Sequence, residues 1–342
     1  MLKITFLNVS QGDSIVIEYE KNVESGEYEK ICLIDSNIDK LPNNPTLNFL
    51  KNSSYREIEY IILSHPHYDH YSGLRQILEY CLSNNIIIKH FLHSCASIPQ
   101  YLKSIPKSNI SINELTLLFK TINNFQKNGL IKKISYVYDS HKKINLFRNI
   151  FVDFLSPSNI ENDNFIRNVP LYKDEENGYE NPNANWLSIV TRLSNSETGN
   201  FILFTSDVEK NCLKRIRNEN NILKNPNETL KLTQCPHHGA KGNLYGFFWR
   251  QVNRAKNTPF VISVGQNKYN HPSNEVVKFA RDNNYKVLST NQVGSLINEN
   301  IENDGLDIII DLISIKTQTK ENDIYNGDKV FEFDEKLHLI TV

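Results

Sequence analysis

The 342-residue sequence has almost no net charge: 38 Lys and Arg against 39 Asp and Glu leave −1 at pH 7. That balance gives no global electrostatic case for binding nucleic acid or an acidic membrane, and leaves only a local basic groove open. Long apolar runs are missing too. None approaches the ~20 residues that a membrane-spanning helix needs. The opening MLKITFLNVSQGDS has neither the basic segment nor the long apolar core of a secretion signal. Paired cysteines are also absent: Cys32, Cys81, Cys95, Cys212 and Cys235 are odd in number and form no CxxC. They are expected to be reduced, mostly buried thiols of a cytoplasmic protein. What is there is 39% hydrophobic residue, with 17 Phe and 16 Tyr. That suffices for a sizeable core and argues against disorder.

Apolar alternation predicts paired strands over Leu2 to Leu7 and Ser14 to Tyr19, joined by a turn at Gln11-Gly12-Asp13. A strand at Ile31 to Ile34 ends on Asp35, and another at Ile58 to Leu63 runs into Ser64-His65. A helix is expected from Ser72-Gly73 to about Leu82. A second one follows Ser111-Ile112-Asn113-Glu114, which reads as a capping box. Strands resume at Lys133 to Tyr138 and Asn149 to Leu155. The Asn- and Asp-rich stretch Ser156 to Asn185 reads as a long loop, and Trp186 to Thr205 as a hairpin. Helix and strand then alternate to Ser289. The sequence shows two similar halves, each ending in a histidine-bearing loop. This points to an α/β fold in which two sheets are sandwiched between helices, an αββα arrangement.

The sharpest feature is Ser64-His65-Pro66-His67-Tyr68-Asp69-His70. Three imidazoles and a carboxylate within six residues repel or compete unless a cation organises them. Neutral imidazole and carboxylate are the ligands that zinc-like ions prefer. In an extended loop His65 and His67 point the same way, while Asp69 and His70 lie one turn on and reach a second position.

The HxHxDH block resembles the signature of the metallo-β-lactamase fold. Other pieces resemble one branch of it, the hydrolase domain of ComEC-type DNA-uptake proteins and the related phosphorylcholine esterase. These are Leu7 to Ser14, Leu33-Ile34-Asp35, Leu155-Ser156-Pro157, Ser188 to Asp207, His237-His238-Gly239, Asn267 to Pro272 and Thr290 to Ser295. Together they run through roughly residues 1 to 300. The resemblance implies two divalent ions, zinc or, at the first position, manganese. His65 and His67 would hold one, Asp69, His70 and His238 the other, and Asp207 would bridge them. The fold's usual further histidine is replaced by Asn185, which leaves the first ion an open position. The lesser reading of Asp207 alone is a cap of the helix it opens, a role compatible with the first.

Around this set, the resemblance implies that Asp35 orients a ligating imidazole, with Asp13 and Asn185 in supporting positions. Asp13 could also be a turn former. Asp69, His237 and His271 form the implied catalytic set, with His237 on the substrate phosphate and His271 a phosphate ligand or general acid. His271 may otherwise serve only to cap the helix after it. Lys241 and Tyr269 are candidate substrate contacts, although a solvated lysine is as good a reading. The implied activity is hydrolysis of a phosphodiester by a metal-held hydroxide. The substrate would be single-stranded nucleic acid, a nucleotide or a choline-phosphate-like ester, in nucleic-acid processing or defence. The alternatives are a carboxylic ester, lactone or lactam hydrolase, and a non-catalytic metal-binding interaction module. Residues 301–342 exceed the resembling region. Their alternation (Ile308 to Ile315, Val330 to Phe333, Leu337 to Val342) predicts a β-rich extension packed on the 1–300 domain, or pairing with a protein partner or a second copy. A helical insert is expected at about 95–130.

Overall fold

The computed structural model describes residues 1–38, 42–95, 109–168, 183–219, 225–297 and 324–341. The first sheet takes β1 (Leu2–Phe6), β2 (Ile15–Lys21), β3 (Tyr28–Ile34), β4 (Glu57–Leu63), β5 (Ile87–His93) and β6 (Ile131–Tyr136). The second takes β7 (Ile144–Phe147), β8 (Ile150–Ser156), β9 (Val190–Asn195), β10 (Asn200–Phe204), β11 (Thr229–Gln234), β12 (Thr258–Ile262) and β13 (Tyr285–Ser289). The chain then returns to the first sheet through β14 (Lys329–Phe333) and β15 (Leu339–Thr341), giving the orders β15-β14-β1-β2-β3-β4-β5-β6 and β13-β12-β11-β10-β9-β8-β7. Each sheet has an antiparallel part and a parallel part. Strands β3 to β6 run parallel in one, and β10 to β13 in the other.

The period of two along each strand builds three layers of core. On β4, Ile61 and Leu63 face outward onto helices, while Ile62 faces the other sheet. On β10, Phe201 and Leu203 face helices, and Ile202 and Phe204 face inward. The helices covering the first sheet are α1 (Pro45–Lys51), the short α2 (Tyr68–Tyr71), α3 (Leu74–Ser83) and α4 (Asn109–Lys127). Leu74, Ile77, Leu78 and Cys81 recur on one face of α3 and are all buried. After α5 (Asn159–Arg167), the second sheet is covered by α6 (Lys210–Glu219), α7 (Gly246–Gln251) and α8 (Asn274–Asp282), which bury Leu213, Ile216, Val276, Val277 and Ala280. The result is two mixed sheets flanked by helices.

Several local expectations need correction. The stretch from Ser156 is not a continuous loop: Ser158 caps α5, with Glu161 returning the bond in a full capping box. The abundant Asn and Asp concealed that signal. Helix α4 begins at Asn109, so Ser111 lies inside it rather than at its cap. Trp186 belongs to a 3-10 turn at Ala184–Leu187, and strand β9 starts only at Val190. Strands β5 and β7 had no counterpart in the sequence reading. The stretch Ile308 to Ile315 lies outside the described residues. Further on, β14 pairs antiparallel with β1, Leu2 facing Phe333, and Phe331, Phe333 and Leu337 enter the core between the sheets. All five cysteines are buried and unbridged. Among the described residues, no helix is long and apolar enough to cross a membrane.

Candidate metal centre

The C-terminal ends of the parallel strands of both sheets meet at one place. From β3 comes Asp35, and from β4 come Ser64 and His65. The Ser206-Asp207 turn follows β10, His237-His238 follows β11, and Ser263 follows β12. Two glycines let the loops close on one another. At Gly12, with φ at +142°, a side chain would collide with the Asp69 carbonyl and the Asn37 amide. At Gly239, with φ at +84°, it would collide with Pro272. The first holds the Gln11-Gly12-Asp13 turn against the HxHxDH loop, and the second holds the His237-His238 turn against the His271 loop.

In the first half, His65 and His70 are wholly buried. Asp35 accepts from the Ser64 amide at 2.7 Å, the Ser64 hydroxyl at 2.5 Å and His70 Nδ1 at 2.8 Å. A carboxylate accepts only, so His70 carries a proton on Nδ1 and turns its Nε2 inward. Burial pushes the Asp35 carboxyl above its usual range, and the His70 imidazole opposes that shift. His65 Nδ1 lies 3.1 Å from the Ser206 hydroxyl, and its Nε2 lies 3.0 Å from His67 Nδ1. Burial, reinforced at His65 by His70 and His67, lowers the pKa of both His65 and His67, so both are neutral imidazoles.

In the second half, Asp207 reaches both sides. Its Oδ1 is 3.5 Å from His70 Nε2 and 3.5 Å from His238 Nε2, while its Oδ2 is 3.7 Å from His65 Nε2 and 3.5 Å from His237 Nε2. His238 donates Nδ1–H to the Ser263 carbonyl at 2.7 Å, which turns its Nε2 inward, 3.4 Å from Asp69 Oδ2. Burial disfavours charge on His238, but Asp207 and Asp69 outweigh it and raise its pKa to about 9. His70 is raised likewise by Asp207, Asp35 and Asp69 against burial. The imidazoles beside Asp207 hold that carboxyl well below its usual range despite burial.

The turn bearing the two histidines is not extended. His237 (φ 47°, ψ 53°) and His238 (φ 52°, ψ 23°) are both left-handed, a conformation costing roughly 1–2 kcal/mol per residue. His237 N–H to the Ser206 carbonyl at 3.0 Å and Ala240 N–H to the His237 carbonyl at 2.9 Å hold it. The rings diverge, 6.0 Å apart at 83°, through the geometry of this turn.

One participant had no signal in the sequence reading. The Gln234 amide accepts from the Thr205 and Ser206 N–H groups, each at 2.9 Å, and donates to Asp13 Oδ2 at 2.7 Å. It joins the turn before Asp207 to the first sheet. Burial raises the Asp13 carboxyl to about 6. Asn185 lies behind His237, its Nδ2 3.3 Å from Nδ1 of that ring. His271 sits at the rim with its ring 6.0 Å from that of His237, and burial, then His237 and His238, lower its pKa to about 4. Tyr269 is exposed and stacks on His271. Lys241 is not drawn into the cluster: it is exposed and pairs with Glu275 at 2.5 Å.

Four triads of these residues could hold an ion: His65, His67 and Asp207; Asp69, His70 and His238; Asp13, Asp207 and His238; and Asp13, Asp35 and His70.

Residues 41–93 match the model of the metallo-beta-lactamase superfamily, a span that includes the HxHxDH block. No curated protein matches the chain. Among solved structures, the metallo-beta-lactamase fold protein YhfI from Bacillus subtilis is 10% identical over 84% of this chain and 96% of its own, with a TM-score of 0.44. Unliganded yeast PDE1 is 12% identical over 84% of this chain and 97% of its own, with a TM-score of 0.47. A diphosphatase from the PhnP family is 14% identical over 81% and 91%, with a TM-score of 0.40. The chain thus has two mixed sheets flanked by helices, and its HxHxDH segment matches the metallo-beta-lactamase superfamily model.

Proposed function

We propose that this chain is a metal-dependent hydrolase of phosphodiesters, of the ComEC-type and phosphorylcholine-esterase-like branch. Asp207 is the observation that carries the reading: one of its oxygens faces His65 and the other faces His70 and His238. The residues fit a cation. His70 Nε2, His238 Nε2 and Asp207 Oδ1 are buried without a hydrogen-bond partner, and they converge. Leaving such groups bare costs roughly 1–3 kcal/mol each, and a divalent ion satisfies all three. His65, His67 and Asp207 would hold one ion, and Asp69, His70, His238 and Asp207 the other. The donor set suits zinc at both positions, with manganese an alternative at the first. When bound, these ions supply Lewis acidity and make water a nucleophile at neutral pH.

The chain's own residues do the rest. Asp35 and the Ser263 carbonyl hold His70 and His238 by Nδ1 with the Nε2 atoms inward, where an ion would take the place of a proton. His237, 27% exposed, stands over the cluster, where it meets a non-bridging phosphate oxygen. His271 is neutral near pH 7, so its part is a hydrogen bond to the phosphate rather than release of a stored proton. The phosphodiester preference is supported by the Gln11-to-Ser14, His237-to-Gly239 and His271-Pro272 blocks lying together at this edge. The test is turnover of bis-p-nitrophenyl phosphate by zinc- and manganese-loaded protein, with a lactam and a thioester in parallel. Chelator-sensitive phosphodiester cleavage is expected. Cleavage of only the lactam or thioester would replace the substrate class, and full metal content without any turnover would point to a binding module.

A further inference from the structure

We infer that Glu209, acting through Asn185, is a positioning residue that locks His237 in the Nε2–H tautomer, opposite to its neighbour His238. The inference deepens the proposed function, because it assigns the donor that His237 presents to substrate. It starts from an atom with one chemistry. A carboxylate accepts and never donates. Glu209 Oε1 receives Asn183 Nδ2 at 2.9 Å and Asn185 Nδ2 at 3.2 Å. The Asn185 amide therefore presents its NH2 to Glu209, and the same Nδ2 lies 3.3 Å from His237 Nδ1. That ring nitrogen must accept, so the proton of the neutral ring sits on Nε2. The flipped amide would set Oδ1 against the Glu209 carboxylate.

Local structure fixes the relay. Asn183 caps the 3-10 turn at Ala184–Leu187 by accepting from the Asn185 N–H at 3.0 Å, so one residue both shapes the turn and clamps Glu209. Glu209 immediately precedes α6, where the helix N-terminus favours a negative charge. Asn185 is buried, and its Oδ1 has no partner.

The consequence separates two adjacent histidines by chemistry. His238 donates its Nδ1 proton to a carbonyl and turns Nε2 into the cluster, the atom that would ligate an ion. His237 receives at Nδ1 and offers a proton at Nε2, 3.5 Å from Asp207 Oδ2. A neutral imidazole with a protonated Nε2 donates to an oxyanion through that atom and does not ligate a metal through it.

The test is the tautomer itself. Zinc-loaded protein labelled with 15N-histidine is examined at pH 8 by long-range 1H–15N correlation, with the His237 signals assigned from their loss in His237→Gln. The native protein should show His237 as Nε2–H. Glu209→Gln keeps an acceptor and should preserve that pattern. Asn185→Asp puts an acceptor against Nδ1 and should switch the ring to Nδ1–H. With zinc content unchanged, kcat on bis-p-nitrophenyl phosphate should fall by roughly 10–100-fold at similar KM. A native Nδ1–H ring, or an Nε2–H ring that persists in Asn185→Asp, overturns the relay. If the native protein cleaves no phosphodiester, the functional reading fails, while the tautomer pattern still decides the relay.

Discussion

The two halves of the molecule have the same plan and build their share of the centre differently. In the first sheet, one strand end delivers His65, His67, Asp69 and His70 within six residues, and a single short helix turns the last two inward. In the second, Asp207, the His237-His238 pair and His271 come from three separate crossovers of a parallel sheet. The first half gains its precision from local sequence. The first needs only the Asp35 carboxylate besides, on Ser64 and His70, whereas the second depends on clamps at several points, Gln234 on the turn before Asp207 and the Ser263 carbonyl on His238. A dispersed half can alter one residue without disturbing the others.

The comparison is sharpest at the paired histidines. His237→Ala should keep the metal content and lower turnover by roughly 10²–10³, the loss associated with one donor to a developing oxyanion. His238→Ala should instead empty the position shared with Asp69 and His70, with activity partly restored by added zinc or manganese. Metal analysis and kinetics on both variants check this, and a reversed pattern would exchange the two roles.

A pH effect belongs to the first half, away from the centre. His93 ends β5, buried among Phe119 and Tyr136, and burial lowers its pKa from 6.5 to about 4. The unfolded chain binds a proton there below pH 6.5 and the folded chain does not. Stability is therefore complete above 6.5 and is lost as the pH falls towards 4, by about 3 kcal/mol for this group. Denaturant midpoints from pH 7 to 4 should fall less steeply in His93→Phe. An equal slope would place the acid sensitivity elsewhere.

Next comes the clamp between the halves. Gln234→Leu strips two buried N–H groups of their acceptor and Asp13 of its donor, and should cost about 2 kcal/mol by denaturant melting. The damage should extend to Asp207, so metal occupancy should drop in the same variant. Stability loss with occupancy intact would make Gln234 a packing residue only. The smallest effect is expected at Lys241, exposed and already paired with Glu275. Lys241→Ala should leave bis-p-nitrophenyl phosphate turnover within about twofold.

What could be read from the sequence follows the same division. The two-sheet architecture was legible because β4 and β10 are apolar runs and because strand and helix alternate twice along the chain. The crowding at His65 to His70 was legible because it is local. Helix α5 was missed although Ser158 and Glu161 spell its cap, since the composition around them favours loops. The divergence of His237 and His238 was not legible, because it comes from two successive left-handed residues. Gln234 and Glu209 carry no motif. Asp13 lies 221 residues from Gln234, and Asn185 and Glu209 become neighbours only when the turn after β10 folds back.

The central claim is that the two halves close on one carboxylate. Elemental analysis of native protein and of Asp207→Ala, both purified without chelator and dialysed against zinc, tests it most directly. The account predicts two transition-metal ions per native chain and loss of both in the variant; a variant that keeps both ions would contradict it.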